Sequence, residues 1–143
     1  MAAGLTEPLY TRDILRLAAN IPGQRSFADL NGDLLLRSPT CGSRLAMWVV
    51  LDCEERVVEI EQAVEACAFG QAAAALVGVH AIGIDYAQAK AVLAAMERWL
   101  GGEGDPPWPG IETLEPARAR RGRHGAILLP FRALVAAIAR ASE

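Results

Sequence analysis

Ser43-Arg44-Leu45-Ala46-Met47-Trp48-Val49-Val50-Leu51 and Arg56-Val57-Val58-Glu59-Ile60-Glu61-Gln62-Ala63-Val64-Glu65-Ala66, joined by Asp52-Cys53-Glu54-Glu55, decide the fold. In the first run Leu45, Met47 and Val49 fall on one side, and Arg44, Ala46 and Trp48 on the other. In the second, Val58, Ile60 and Val64 oppose Glu59 and Glu61. A period of two marks half-buried strands. The four residues between them form a short polar hairpin connection, so the two strands run antiparallel. Upstream, Phe27 to Arg37 is a third strand-like run, with a turn signal at Asn31-Gly32-Asp33 before Leu34-Leu35-Leu36. Three such runs with short joins form an antiparallel meander.

On either side of the meander the period becomes helical. Leu9 to Ala19 places Ile14, Leu15, Leu17 and Ala18 close together on a helical wheel, with Thr11 as a cap and Asn20-Ile21-Pro22-Gly23 as a stop. After Cys67, Phe69 to Ile82 is Ala-rich and apolar almost all round, which predicts a buried helix ended by Gly83. Asp85 caps a further helix that runs to Leu100 and stops at Gly101-Gly102. Gly101 to Pro109 is a loop, and Pro116 to Arg123 a basic connector. Ala126 to Ala141 is a final amphipathic helix. Pro130 is expected in its first turns, because deeper in a helix proline removes a hydrogen bond and clashes. No linker divides residues 1–143, so the expectation is one α+β domain: a three-stranded antiparallel sheet with helices packed on one face.

With 143 residues and 52% hydrophobic content the chain fills a real core. Its formal charge of -3 gives no general reason to bind nucleic acid or acidic lipid. Apolar runs are broken well short of the ~20 residues that span a bilayer. Met1 to Leu17 carries Glu7, Arg12, Asp13 and Arg16 and lacks the apolar centre of a signal peptide. A cytoplasmic location is expected. Three cysteines cannot all pair within one chain, and a reducing compartment keeps them as thiols.

Three separated residues stand where a turn meets a regular element. Cys41 lies between Pro39 and Gly42, just before a strand. Cys67 lies at a strand-to-helix switch, where the positive end of the helix favours a thiolate. His124 follows Arg118, Arg120, Arg121 and Arg123 and precedes the last helix. Two thiols and an imidazole from distant segments suit one soft metal or a cluster iron. His80 reads as a core histidine, and Cys53 as a hairpin residue without a partner. The chain has no phosphate-binding glycine loop, no nucleophile elbow and no closely spaced carboxylate pair, so turnover of a small substrate is not expected. The arginine run has no interleaved aromatics, which sets it apart from a nucleic-acid surface.

With these residues in view, the chain resembles the iron–sulfur cluster scaffold family, IscU and the N-terminal domain of NifU, over roughly Tyr10 to Ala137. Pro39-Thr40-Cys41-Gly42 is similar to the family's Pro-Ala-Cys-Gly turn. Ala66-Cys67-Ala68 with Ala72-Ala73-Ala74-Ala75-Leu76 is similar to its Gly-Cys-Gly turn and small-residue helix. His124-Gly125-Ala126-Ile127-Leu128 is similar to its His-Cys-Ser-Ile-Leu. The resemblance implies a scaffold, not an enzyme, that holds a nascent iron–sulfur cluster or a metal ion through Cys41, Cys67 and His124. Zinc is then a common occupant as purified, and a cysteine desulfurase and apo-protein cluster acceptors are the partners. The departures are specific. Gly125 stands for the family's third cysteine and Ser43 for its aspartate. Glu115-Pro116-Ala117-Arg118 replaces the chaperone-recognition segment, and the site lysine has no counterpart, although Arg121 or Arg123 could supply the charge. Two alternatives stay open. One is a SufE-like sulfur acceptor that uses Cys41 alone. The other is an adaptor that has kept the fold and lost the cluster.

Overall fold

The computed structural model describes residues 10–29, 35–38 and 42–143. Strands β1 (Leu35–Arg37), β2 (Arg44–Leu51) and β3 (Val57–Glu65) form one antiparallel sheet in the order β1-β2-β3. Helices α1 (Arg12–Ala18), α2 (Ala68–His80), α3 (Tyr86–Leu100) and α4 (Arg121–Ala141) complete the α+β fold, with 3-10 segments at Phe27–Asp29 and Ile111–Ala117. Phe27 to Asp29 is thus 3-10 helix, not strand. The expected turn at Asn31-Gly32-Asp33 lies outside the described residues.

The alternation holds along most of β2 and β3. Leu45 opposes Val64, Met47 opposes Gln62, and Val49 opposes Ile60. This is the face that packs on the helices: Gln62, fully buried, donates from Nε2 to the Ala74 carbonyl of α2 at 3.0 Å. The pattern slips at a bulge between Val50 and Leu51. There Val57 is buried and Val58 is 47% exposed, so Val58 does not share the inner face with Ile60. An extra residue in one strand reverses the alternation beyond it.

The free edge of β3 is not bare. Gln24 bridges Gln62 in parallel, with the Gln62 N–H donating to the Gly23 carbonyl at 2.9 Å and the Arg25 N–H donating to the Gln62 carbonyl at 2.6 Å. Gly23 has a φ of 70°, and a Cβ there would lie 2.2 Å from the Ile60 carbonyl oxygen. Only glycine allows the chain this close to the strand. The strap occupies hydrogen-bonding groups that would otherwise invite another strand.

The helix caps follow the sequence. Thr11 accepts from the Ile14 N–H at 3.2 Å. Asp85 and Gln88 form a reciprocal capping box at the start of α3. The core helix α2 buries Phe69 and the alanines Ala72 to Ala75. Two expectations are corrected. α4 begins at Arg121, so part of the basic connector is helix and Pro130 sits well inside it. His80 ends α2 half-buried, with Nε2 2.8 Å from the Pro109 carbonyl and its ring 5.2 Å from that of Trp108. It is not a core residue. By length and hydropathy α4 alone among the described helices could cross a membrane, yet 56% of its apolar window is buried within the fold. It is the core helix that packs on α2, α3 and β2.

Candidate metal centre

One row of residues defines an end of the sheet: Arg37 opposes Arg44, and Arg44 opposes Glu65. Neighbouring strands lie about 4.8 Å apart. The loop from β1 to β2 leaves from this row. Its base is closed by the Ser38 N–H donating to the Ser43 carbonyl at 2.8 Å and by the Gly42 N–H donating to the Ser38 carbonyl at 3.2 Å. Gly42 has a φ of 71°, the left-handed conformation that glycine adopts without strain. Cys41, with Pro39 and Thr40, lies within this loop and outside the described residues. β3 leaves the same row, and two residues beyond Glu65 it reaches Cys67.

Cys67 is the N-cap of α2, half-buried, with φ -65° and ψ 170°. Its thiol is free and makes no capping hydrogen bond. α2 and α4 start beside each other. A Cβ on Gly70 would lie 2.7 Å from the Ala66 Cβ and 3.2 Å from both the Cβ and the carbonyl oxygen of Ala126. Gly70 therefore permits a close approach of the two helices. Pro130 cannot donate to the Ala126 carbonyl, because it has no N–H. That carbonyl faces Gly70.

His124 lies near the start of α4, two residues before Ala126. Its Nε2 is 3.0 Å from the carbonyl oxygens of both Ala117 and Arg118. Both partners only accept, so Nε2 carries the proton and the lone pair of the neutral ring is on Nδ1. A ring nitrogen that donates to a backbone carbonyl is the usual outer support of a metal-binding histidine. His124 also lines an open groove of about 680 Å³ with Leu100, Gly101, Gly102, Arg118 and Arg121. Cys67 is not part of that lining. The structure thus places Cys67 and His124 on two adjoining helix starts. Among the described residues, no three His, Cys, Asp or Glu side chains gather into a group that could hold a metal ion.

The remaining positions fall out simply. Gly125 is inside α4 in helical conformation, half-buried. Ser43 is buried at the base of the Cys41 loop. Cys53 is exposed in the β2–β3 turn, at the opposite end of the sheet. The eight residues of β2 put it roughly 25 Å from the Arg37-Arg44-Glu65 row.

Sequence reasoning did not find the pair beside the site. Arg44 holds Glu65 with two hydrogen bonds, from Nε to Oε2 and from Nη2 to Oε1 at 3.0 Å. Its guanidinium also lies 4.1 Å from the centre of the Phe27 ring. The hydrogen bond from Arg44, aided by the charges of Arg44 and Arg37, holds the Glu65 carboxyl below the ordinary carboxylate range despite some desolvation. The same bond raises Arg44 above its usual value. Strand alternation puts both residues on the outward side, but only the register makes them opposite.

No family model matches the sequence, and no curated protein matches it. Solved structures do match. The chain is similar to the N-terminal part of a nitrogen-fixing NifU-like protein from Brucella abortus, with a TM-score of 0.81 and 27% identity over 94% of each chain. It is also similar in fold to an iron–sulfur cluster assembly scaffold protein for the SUF system from Fervidobacterium islandicum AW-1. That match has a TM-score of 0.74 and 18% identity over 91% of this chain and 96% of the other. The architecture is therefore that of the iron–sulfur scaffold proteins. Within that architecture the chain is similar to the NifU-like N-terminal domain, at a divergent 27% identity.

Proposed function

We propose that this chain is a scaffold-like protein of iron–sulfur cluster assembly that receives a nascent cluster, or a single metal ion, on Cys41, Cys67 and His124. The observation that carries the reading is the sheet end. The loop that bears Cys41 and the strand that leads into Cys67 leave one row of paired residues, and α4, which carries His124, starts beside α2. Two thiolates and one imidazole suit zinc or cluster iron. His124 would offer Nδ1, since Nε2 donates to two carbonyls. With Gly125 and Ser43 in place of stronger ligands, three protein donors leave one tetrahedral position for water, a thiol or a partner's side chain. A cargo site of that kind binds loosely enough to release what it holds. It requires no turnover of a small substrate.

The reading carries partners with it: a cysteine desulfurase that supplies sulfur, and apo-proteins that accept the cluster. It also places the chain in the cytoplasm, where thiols stay reduced. The test is metal and sulfide content after anaerobic purification and reconstitution. Cys41→Ser, Cys67→Ser and His124→Ala should each lower the bound metal, and Cys53→Ser should not. Equal retention in all four variants would overturn the proposal in favour of an adaptor without cargo.

A further inference from the structure

The groove of about 680 Å³ beside His124 is lined by Arg118 and Arg121 and by the Glu115 carboxylate, and of its lining the metal reading uses only His124. It is bounded by the end of α3 at Leu100-Gly101-Gly102, the turn after the 3-10 segment, and the first turn of α4. Arg118 is already engaged. Its Nε donates to the Trp99 carbonyl at 2.8 Å, its Nη1 pairs with Glu115 at 3.2 Å, and its guanidinium lies 4.8 Å from the Trp99 ring centre. These contacts also answer the two negative features of the groove, the Glu115 carboxylate and the carbonyl end of α3.

Arg120, Arg121 and Arg123 are different. Among the described residues none of them forms an ion pair, and Arg120 and Arg121 are exposed. They also stand where helix physics disfavours them. α4 starts at Arg121 with Arg120 as N-cap, makes no side-chain capping bond, and has no acid in its first turn. The positive end of a helix favours carboxylates, and a cation there is repelled. A 21-residue helix that begins with three unpaired arginines and uncapped N–H groups breaks a local rule, and such breaks occur at functional sites.

We infer that the mouth of this groove docks an acidic segment of a partner protein, with its carboxylates seated on Arg121 in the lining, on the exposed Arg120 that precedes it in the chain, and on the uncapped start of α4. The arrangement favours a segment over a small anion. Arg121 lines an open groove while Arg120 lies outside its lining, so the two do not converge on one enclosed point. Gly102, an exposed lining residue, has no side chain, and a Cβ there would meet nothing within 4 Å, so a backbone can lie close to it. The inference stands whether or not the cysteines hold metal.

The test is fluorescence anisotropy of a labelled peptide of alternating glutamate and glycine, titrated with the full-length, metal-free protein at low salt. Binding should saturate, weaken as salt is added, and fall about tenfold in Arg121→Glu and in Arg120→Glu. Arg132→Glu, an exposed change further along α4, should leave it unaltered. Arg121→Glu places an acid in the first turn of α4, so its melting temperature should not drop, which separates lost docking from lost folding. The inference is overturned if the peptide does not bind, or if Arg132→Glu weakens it as much as Arg121→Glu. It is also overturned if millimolar inorganic phosphate displaces the peptide stoichiometrically, which would mark a simple anion site.

Discussion

Arg44 and Glu65 stand directly opposite each other at the end of the sheet, joined by two hydrogen bonds, one residue beyond the loop of Cys41 and two residues before Cys67. The pair ties the two exits from the sheet to one another. Glu65 is exposed and Arg44 half-buried, in contact with solvent, so the pair's contribution to global stability is small. Its effect falls on local geometry, as a side-chain link added to the backbone pairing of the ends of β2 and β3.

Acid should loosen this clasp. The folded-state value of Glu65 is lowered from 4.5, so the unfolded chain binds its proton more tightly. The stabilisation is therefore present above that ordinary value and is lost as pH falls through the lower folded value. Glu65→Gln should flatten the acid side of the melting-temperature profile and leave the neutral side nearly unchanged. An acid side of unaltered slope would show that the pair is not coupled to folding.

Gly70→Ala should be destabilising by about 1–3 kcal/mol, the usual effect of an extra methyl group in a filled site. The added Cβ meets the Ala66 Cβ at 2.7 Å and the backbone of α4 at the Ala126 carbonyl. Helix-forming propensity alone predicts the reverse, because alanine is preferred to glycine inside a helix. Urea unfolding decides between them by the sign of the change.

Gly125→Cys should raise the iron and sulfide retained after anaerobic reconstitution. The position is helical, so the substitution meets no left-handed backbone. It introduces a thiol at the start of α4, next to His124. If the variant melts as the wild type does yet retains no more cluster, Gly125 does not face the site.

A cysteine desulfurase and its persulfide separate the scaffold from the sulfur acceptor. In the acceptor reading Cys41 alone gains sulfur, and Cys67→Ala transfers as well as wild type. In the scaffold reading Cys67→Ala also loses cluster. Mass spectrometry of the mixed proteins, with iron and sulfide content measured in parallel, reports both outcomes.

Much of this fold is legible in the sequence because periodicity and caps are local. Leu45, Met47 and Val49 announce β2, and Thr11 and Asp85 cap α1 and α3 as expected. What could not be read depends on neighbours distant in sequence. Val58 looks like an inner residue until the bulge turns it outward. Gln62 looks like a surface residue, yet it is buried and bonded to Ala74. Pro130 looks like a helix start, yet α4 continues five residues before Ala126 and tolerates it. Of the candidate residues, Cys67 stands at a strand-to-helix switch as expected, whereas His124 lies inside the first turn of α4 and not before it. The hydrogen bonds of His124 to Ala117 and Arg118 depend on how the preceding 3-10 segment folds back, which no spacing rule encodes.

The central claim is that Cys41, Cys67 and His124 share one metal. X-ray absorption at the zinc edge, on protein loaded with one equivalent of zinc, tests it most directly. The account predicts two sulfur neighbours at about 2.3 Å and at least one imidazole nitrogen at about 2.0–2.1 Å. One sulfur should disappear in Cys41→Ser and in Cys67→Ser, the imidazole signature should disappear in His124→Ala, and Cys53→Ser should leave the spectrum unchanged. A zinc ion with no sulfur or only one in the wild type, or a spectrum unaltered by His124→Ala, would contradict it.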